Sequence, residues 1–219
     1  MNEEMLDIYN SKGKHLGVKS RKEVHLKGYW HKTFHCWIVY KNAENEPCVL
    51  MQKRSQLKKS APGKLDSCVA GHIEAGEGIE GGLREFKEET GLTIKVNDLI
   101  SLGTRITVSD YKENTINKEF QEVFFVHRNV NLSDFQLPPE EVAGMIELPV
   151  KKCIALFSEE VDEIEVKGVF VDSPENIGKP IIQNIYISRE DFISFVDNFH
   201  FKIMILAERY LLGEKHLFI

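Results

Sequence analysis

The chain has 219 residues, enough for one well-cored domain and cramped for two. Its net charge of −6, without a lysine or arginine stripe, argues against a dedicated nucleic-acid binder. The N-terminus MNEEMLDIYNSKGK is acidic and lacks the apolar core of a signal peptide, and no run approaches the roughly 18 apolar residues of a membrane span. In chain order, LDIYN and KHLGVKS read as a hairpin turning at Ser11-Lys12-Gly13. Phe34 to Tyr40 and Val49 to Lys53 are β-rich runs joined by the polar loop KNAENEP. A glycine-rich turn then leads into a short acidic helix within residues 71–92. Ile106 to Val108 and Val123 to His127 are further strand candidates, and Pro138-Pro139 starts a turn. Residues 151–157 read as a short helix, and the alternating run 164–172 as an edge strand. Ser188 reads as the N-cap of a helix with an acidic first turn, running to about Leu212 and ending near Gly213. Its stripe of Phe192, Phe195, Val196, Phe199, Ile203, Leu206 and Tyr210 is read as core in preference to a dimer face or a wall over a cleft. Cys36, Cys48, Cys68 and Cys153 are scattered without CxxC spacing, as reduced, mostly buried thiols of a cytoplasmic protein are.

The segment GHIEAGEGIEGGLREFKEETGL, residues 71–92, carries the chemistry. Glu85, Glu88 and Glu89 stand at i, i+3 and i+4 and so project from one helix face. Like charges at that spacing destabilise an isolated helix unless a cation offsets them. Oxygen ligands suit a hard divalent ion, Mg2+ above all. A charge run is more often a solvated helix face. Two details oppose that reading here. The preceding turn is rich in glycine, whose backbone can approach a ligand closely, and Arg84 sits where it can fix the carboxylate rotamers.

These residues resemble the box of the Nudix superfamily, G-x5-E-x7-R-E-U-x-E-E-x-G-U, where U is aliphatic or aromatic. Arg84 to Leu92 fit its second half and Gly71 and Glu77 its first. Only six residues, Gly78 to Leu83, separate Glu77 from Arg84, one fewer than the pattern. The shortening bears on the contact between Glu77 and the box arginine, and Gly81-Gly82 are placed to absorb it. The resemblance implies an α+β fold, an α/β/α sandwich with a mixed sheet, here with an N-terminal hairpin and a C-terminal helical extension. EVAGMIELPV resembles the strand that closes such a sheet. One domain over 1–219 is expected, with its core at about 30–150 and residues 151–219 packed on it.

The stretches Trp30 to Val39, Gln52 to Ser55 and Ala61 to Lys64 resemble the branch that includes isopentenyl-diphosphate isomerase. Its cysteine, just before the box Gly-His, is replaced by Ala70, and its Glu-x-Glu pair matches Asn117-Lys118-Glu119. Its metal site uses histidines, for which His31 and His72 stand at matching places and His25 approximately so. The complete carboxylate triad favours a hydrolase over an isomerase. A non-catalytic ligand-binding domain is the third reading, which the intact triad opposes.

For a hydrolase the resemblance implies that Glu85, Glu88, Glu89 and the Ala70 carbonyl hold Mg2+, with Mn2+ as an alternative. The ion would neutralise diphosphate oxygens and position a water for in-line attack on phosphorus. Arg84 would organise the carboxylates. The base is Glu85 or Glu88 within the box, or Glu119 or Glu122 outside it. Arg54, Lys58 and Gly71 are candidates for substrate contact, although lysines such as Lys58 and Lys59 are equally often plain surface charges. The expected partner is a small-molecule diphosphate, with neither nucleic acid nor membrane. The apolar C-terminal helix and the edge strands suggest a homodimer. Substrate specificity is assigned to loops near 25–35, 107–120 and 160–180.

Overall fold

The computed structural model describes residues 3–112, 115–171 and 180–219, with the backbone alone for 110–112. Its elements are β1 (Met5–Tyr9), β2 (His15–Ser20), α1 (Arg21–Lys27), β3 (Trp30–Lys41), β4 (Pro47–Arg54), β5 (Leu65–Ser67), β6 (Val69–His72) and α2 (Ile79–Thr90). There follow β7 (Leu99–Lys112), β8 (Thr115–His127), β9 (Val142–Pro149), α3 (Val150–Phe157), β10 (Glu163–Phe170), β11 (Ile181–Ser188) and α4 (Phe199–Leu211). The sheet is mixed, and β3 is its hub. β3 runs parallel to β8 from Trp30 to Val39, antiparallel to β6 at Thr33 to Cys36, and antiparallel to β4 at Val39 to Lys41. Beyond β4 the order continues β9, β10, β11, and β7 pairs β8.

Alternation along β3 sets the layers. Phe34, Cys36 and Ile38 pack with Phe86 of α2 in one buried cluster, whereas Trp37 and Val39 join Phe199 and Ile203 of α4 in another. With α3 and α4 on one side and α2 on the other, this is the expected α/β/α sandwich. Each such side chain contributes about 1.5–3 kcal/mol of burial. At Gly82 a Cβ would stand 2.2 Å from the Phe34 ring, so this glycine sets how closely α2 approaches the sheet.

The N-terminal hairpin, the strands at 34–40 and 49–53 and the short helix after 150 form as expected. Four features differ. First, Ser188 caps only a 3-10 turn at Arg189–Asp191. The chain then leaves helical geometry because Phe192 bridges to Leu65 and the Ile193 N–H donates to the Leu65 carbonyl, so α4 starts at Phe199. The aromatic stripe is largely core all the same, with Phe192, Phe199, Ile203 and Leu206 buried. Second, the 164–172 run is not an edge: β10 lies between β9 and β11, and position 172 falls outside the described residues. Third, α1 is an element that the sequence reading does not mark; the Ser20 hydroxyl caps it by accepting from the Glu23 N–H at 3.4 Å. Fourth, β7 and β8 extend well beyond the short runs that alternation marked. Parts of the expected specificity loops, 113–114 and 172–179, lie outside the described residues.

Candidate active site

The carboxylate helix is anchored at its start by an unusual turn. Gly76 and Gly78 take φ of 84° and 62°, and Gly78 forms the N-cap of α2. Without a Cβ on Gly81, the Glu77 carboxylate lies over the first helical turn, where that Cβ would meet Glu77 Oε2 at 2.5 Å. Glu77 thereby reaches Arg84 with both oxygens, at 3.0 and 2.9 Å, despite the shortened spacing. The fork of Arg84 also donates to Glu85 at 2.8 Å and to Glu88 at 3.0 Å. One guanidinium therefore fixes three carboxylates, a role that its planar donor geometry suits better than a lysine would.

The second anchor is β6, which the register with β3 places beside α2. The Ala70 N–H donates to Glu89 Oε2 at 3.1 Å, and the Gln52 amide of β4 donates to the same oxygen at 3.0 Å. Glu85 lies flat against Gly71, where a Cβ would come within 2.3 Å of its carboxyl carbon. Burial raises the Glu89 pKa to about 8, opposed by the Ala70 N–H and reinforced by Glu85. Burial likewise raises Glu85 to about 7, against the pull of Arg84. Glu88 is the open member, with its side chain 58% exposed. Two desolvated carboxylates beside a third, with the Ala70 peptide among them, fit a divalent cation, which would restore the charge balance that burial opposes.

Above these residues lies a cleft of about 830 Å³ lined by Arg54, Lys58, Ala70, Gly71, Glu119 and others. Its floor is β8, where Asn117, Glu119 and Gln121 share one face. Glu119 accepts from the Asn117 amide at 2.7 Å and the Gln121 amide at 2.6 Å. Glu122 falls on the opposite face. It pairs with Lys32 at 3.1 Å and borders a separate cavity of about 360 Å³ between the N-terminal hairpin and the start of α2. Residues three apart on a strand point to opposite faces, so Glu122 is removed from the candidates for the base. Arg54 and Lys58 do reach the cleft, but as partnered cations. Arg54 donates to Asp66 at 2.9 Å and to the Ser60 carbonyl, and Lys58 pairs with Glu141.

One wall gathers His25 from α1, His31 from β3 and His72 from β6. Their donor atoms lie within 4.8 Å of one another. The Nδ1 atoms are occupied, by the Arg21 carbonyl for His25, the Tyr29 carbonyl for His31 and the Glu4 carboxylate for His72. That leaves Nε2 as the free ligand nitrogen of each ring, and the Nε2 atoms of His31 and His72 are buried without a hydrogen bond. Burial holds both rings below the usual histidine range, in the neutral form that binds metal. His31 Nε2 lies 3.9 Å from Glu119. Sequence reasoning did not find Gln52, Gln121 or Arg105, whose roles depend on pairing between strands.

The fold and the carboxylate helix define an α/β/α sandwich with a partly buried carboxylate cluster beside an open cleft. The NUDIX domain matches residues 29–165, and the chain belongs to that family. It is a hydrolase acting on pyrophosphate bonds, in a family that uses divalent metal ions. It is 35% identical over 193 residues to an uncharacterised Nudix hydrolase of Clostridium acetobutylicum, spanning 88% of this chain and 91% of that one. Nudix hydrolase 3 of Arabidopsis thaliana is 32% identical over 167 residues, 73% of this chain and only 21% of the plant protein. Among solved structures, DR0079 from Deinococcus radiodurans superposes with a TM-score of 0.53 at 19% identity, over 71% of this chain and 90% of that one, a likeness of fold.

Proposed function

We propose that the protein cleaves the diphosphate linkage of a nucleoside-diphosphate-type small molecule by attack of water on phosphorus, with Mg2+ as the preferred ion and Mn2+ as the alternative. The observation that carries this reading is the single guanidinium of Arg84 holding Glu77, Glu85 and Glu88, with Glu89 buried behind them against Ala70. Glu85, Glu88, Glu89 and the Ala70 carbonyl are the proposed cation ligands. An ion held there would supply neutralisation of diphosphate oxygens and a lowered pKa for a bound water. Glu119 lies on the β8 floor of the cleft and is not engaged by Arg84, and a carboxylate accepting two amides still has lone pairs to take a proton. It is therefore the favoured base outside the box. Lys58 and Arg54 present positive potential along the wall while their carboxylate partners hold them in place.

A second reading is favoured by one observation, the three histidines whose ligand atoms lie within 4.8 Å of one another. They suit a borderline transition ion and would support chemistry of the isopentenyl-diphosphate isomerase kind. Ala70 in place of a cysteine and Asn117 in place of a carboxylate oppose it.

One assay separates the readings. The protein is incubated with Mg2+ and a panel of nucleoside diphosphate derivatives, dinucleoside polyphosphates, nucleotide sugars, coenzyme A and isopentenyl diphosphate. Release of phosphate or nucleotide that disappears in Glu88→Gln is the expected result. Double-bond migration without phosphate release would sink the hydrolase, and silence on every substrate with thermal-shift binding would indicate a binding module.

A further inference from the structure

A chain of hydrogen bonds runs from the segment before α4, beyond the matched family domain, to the carboxylate on the cleft floor. Asp197 grips Arg105 of β7 with both oxygens, at 2.9 Å to Nε and 2.6 Å to a terminal nitrogen. The guanidinium is stacked by the rings of Phe195 at 4.4 Å and Phe199 at 3.9 Å. Its remaining terminal nitrogen donates to Gln121 Oε1 at 2.7 Å, across the β7–β8 register in which Arg105 faces Gln121. Gln121 then donates from Nε2 to Glu119 Oε2 at 2.6 Å. Arg105 and Gln121 are buried, which shields the links from Arg105 to Gln121 and on to Glu119, while the Asp197 side chain is 40% exposed.

The direction of this chain is forced. A guanidinium can only donate, so the Gln121 oxygen must face Arg105 and its NH2 must face Glu119. Without the arginine, the amide loses its reason to choose. Flipped, it would present an oxygen to Glu119, and two acceptors would face each other in a buried site. Asp197 and the two phenylalanines in turn prevent the guanidinium from turning away.

We propose that Arg105 is a positioning residue. Held by Asp197, Phe195 and Phe199, it sets the orientation of Gln121, whose amide in turn holds the Glu119 carboxylate in place at the cleft. The C-terminal segment thus contributes to the reaction site through Arg105, in addition to lining the cleft with Ile193 and Phe195. This rests on the reading of the cleft as the hydrolytic site with Glu119 as a participant.

The test is a double-mutant cycle between Arg105→Met and Glu119→Gln, joined to a measurement that needs no turnover. In the otherwise native protein, Arg105→Met lowers kcat on the order of 10-fold or more with little change in KM. In the Glu119→Gln background the same change has almost no effect, because the group through which it acts is gone. Equal losses in both backgrounds would mean that Arg105 serves packing alone, and the proposal falls. The second readout is the side-chain amide of Gln121 by 15N NMR. Its protons are shifted and protected in the native protein and revert toward free-amide values in Arg105→Met. An unchanged amide signal overturns the proposal even if activity falls. If Arg105→Met does not fold, Asp197→Asn and Gln121→Leu carry the same cycle, and full kcat in Gln121→Leu overturns the proposal. Failure of the hydrolase reading shows separately, as a native protein that cleaves nothing while the amide signal still responds to Arg105.

Discussion

At the scale of single residues, the cluster on α2 depends on what is missing as much as on what is present. Gly71 and Gly81 carry no Cβ, and carboxylates occupy the space: Glu85 against Gly71, Glu77 over Gly81. Replacing Gly71 with alanine would set a methyl group 2.3 Å from the Glu85 carboxyl carbon. Glu85 would have to swing away, taking its contact with Arg84 with it. Misplacement of a catalytic group by about 1 Å can cost on the order of 100-fold in rate. Gly71→Ala is thus expected to lose most activity while thermal unfolding stays close to that of the native protein. A variant of full activity would show that Glu85 is not held in its working position by Gly71. The two carboxylate candidates on β8 illustrate the limit of a residue list. Positions 119 and 122 differ by an odd number, so alternation alone says that they cannot share a face. Only the packed sheet decides that Glu119 has the cleft and Glu122 the ion pair with Lys32.

At the scale of elements, the segment from Ser188 to Leu211 shows tertiary contacts overriding local preference. Its capping signal is genuine, yet the helix stops after one turn because the backbone of Phe192 and Ile193 pairs with the chain at Leu65. Aromatic and β-branched residues give up helix geometry at little cost. His200, in the first turn of α4, is enclosed by Phe192, Phe195 and Phe199. Burial lowers its pKa from 6.5 to about 4, with Asp66 pulling the other way and Arg105 and His35 adding to the depression. The unfolded chain therefore binds a proton between about pH 6.5 and pH 4 that the folded protein refuses, so stability falls as pH falls through that window. The loss from this one ring is about 3 kcal/mol. Chemical denaturation at pH 7.5 and at pH 4.5 should show a smaller stability difference in His200→Leu than in the native protein. His31, His35 and His72 are depressed by burial too, so part of the pH dependence remains. An undiminished difference in the variant would show that His200 is not the proton acceptor.

At the scale of the whole molecule, one apolar cluster joins Trp37, Val49 and Phe125 of the central strands to Leu156 of α3 and to Phe199, Ile203 and Met204 of α4. We propose on this ground that residues 1–219 fold as one domain in which 151–219 is not a detachable extension. Calorimetry is expected to show a single transition, and a protein shortened to end before Ser188 should lose cooperative unfolding by exposing that cluster. Two separate transitions, or a shortened chain that unfolds as sharply as the whole, would count against it. The homodimer suggested by apolar edges is a proposal for sedimentation to decide. Among the described residues no helix is long and apolar enough to cross a membrane.

The sequence alone determined the chemistry of the box, because helical spacing is local: three glutamates at i, i+3 and i+4 share a face wherever that helix sits. The layered fold followed from the resemblance of that box to the Nudix family, whereas the local strand and cap signals marked several strands but started α4 too early and left α1 unmarked. The tertiary structure decided everything that joins distant segments. It brought His25, His31 and His72 to one point, gave Glu89 to Gln52, absorbed the shortened box by laying Glu77 over Gly81, and linked Asp197 to Arg105 across 92 positions. Hydrogen bonds and ion pairs of this kind depend on strand register and on burial, and a linear pattern encodes neither one pair at a time.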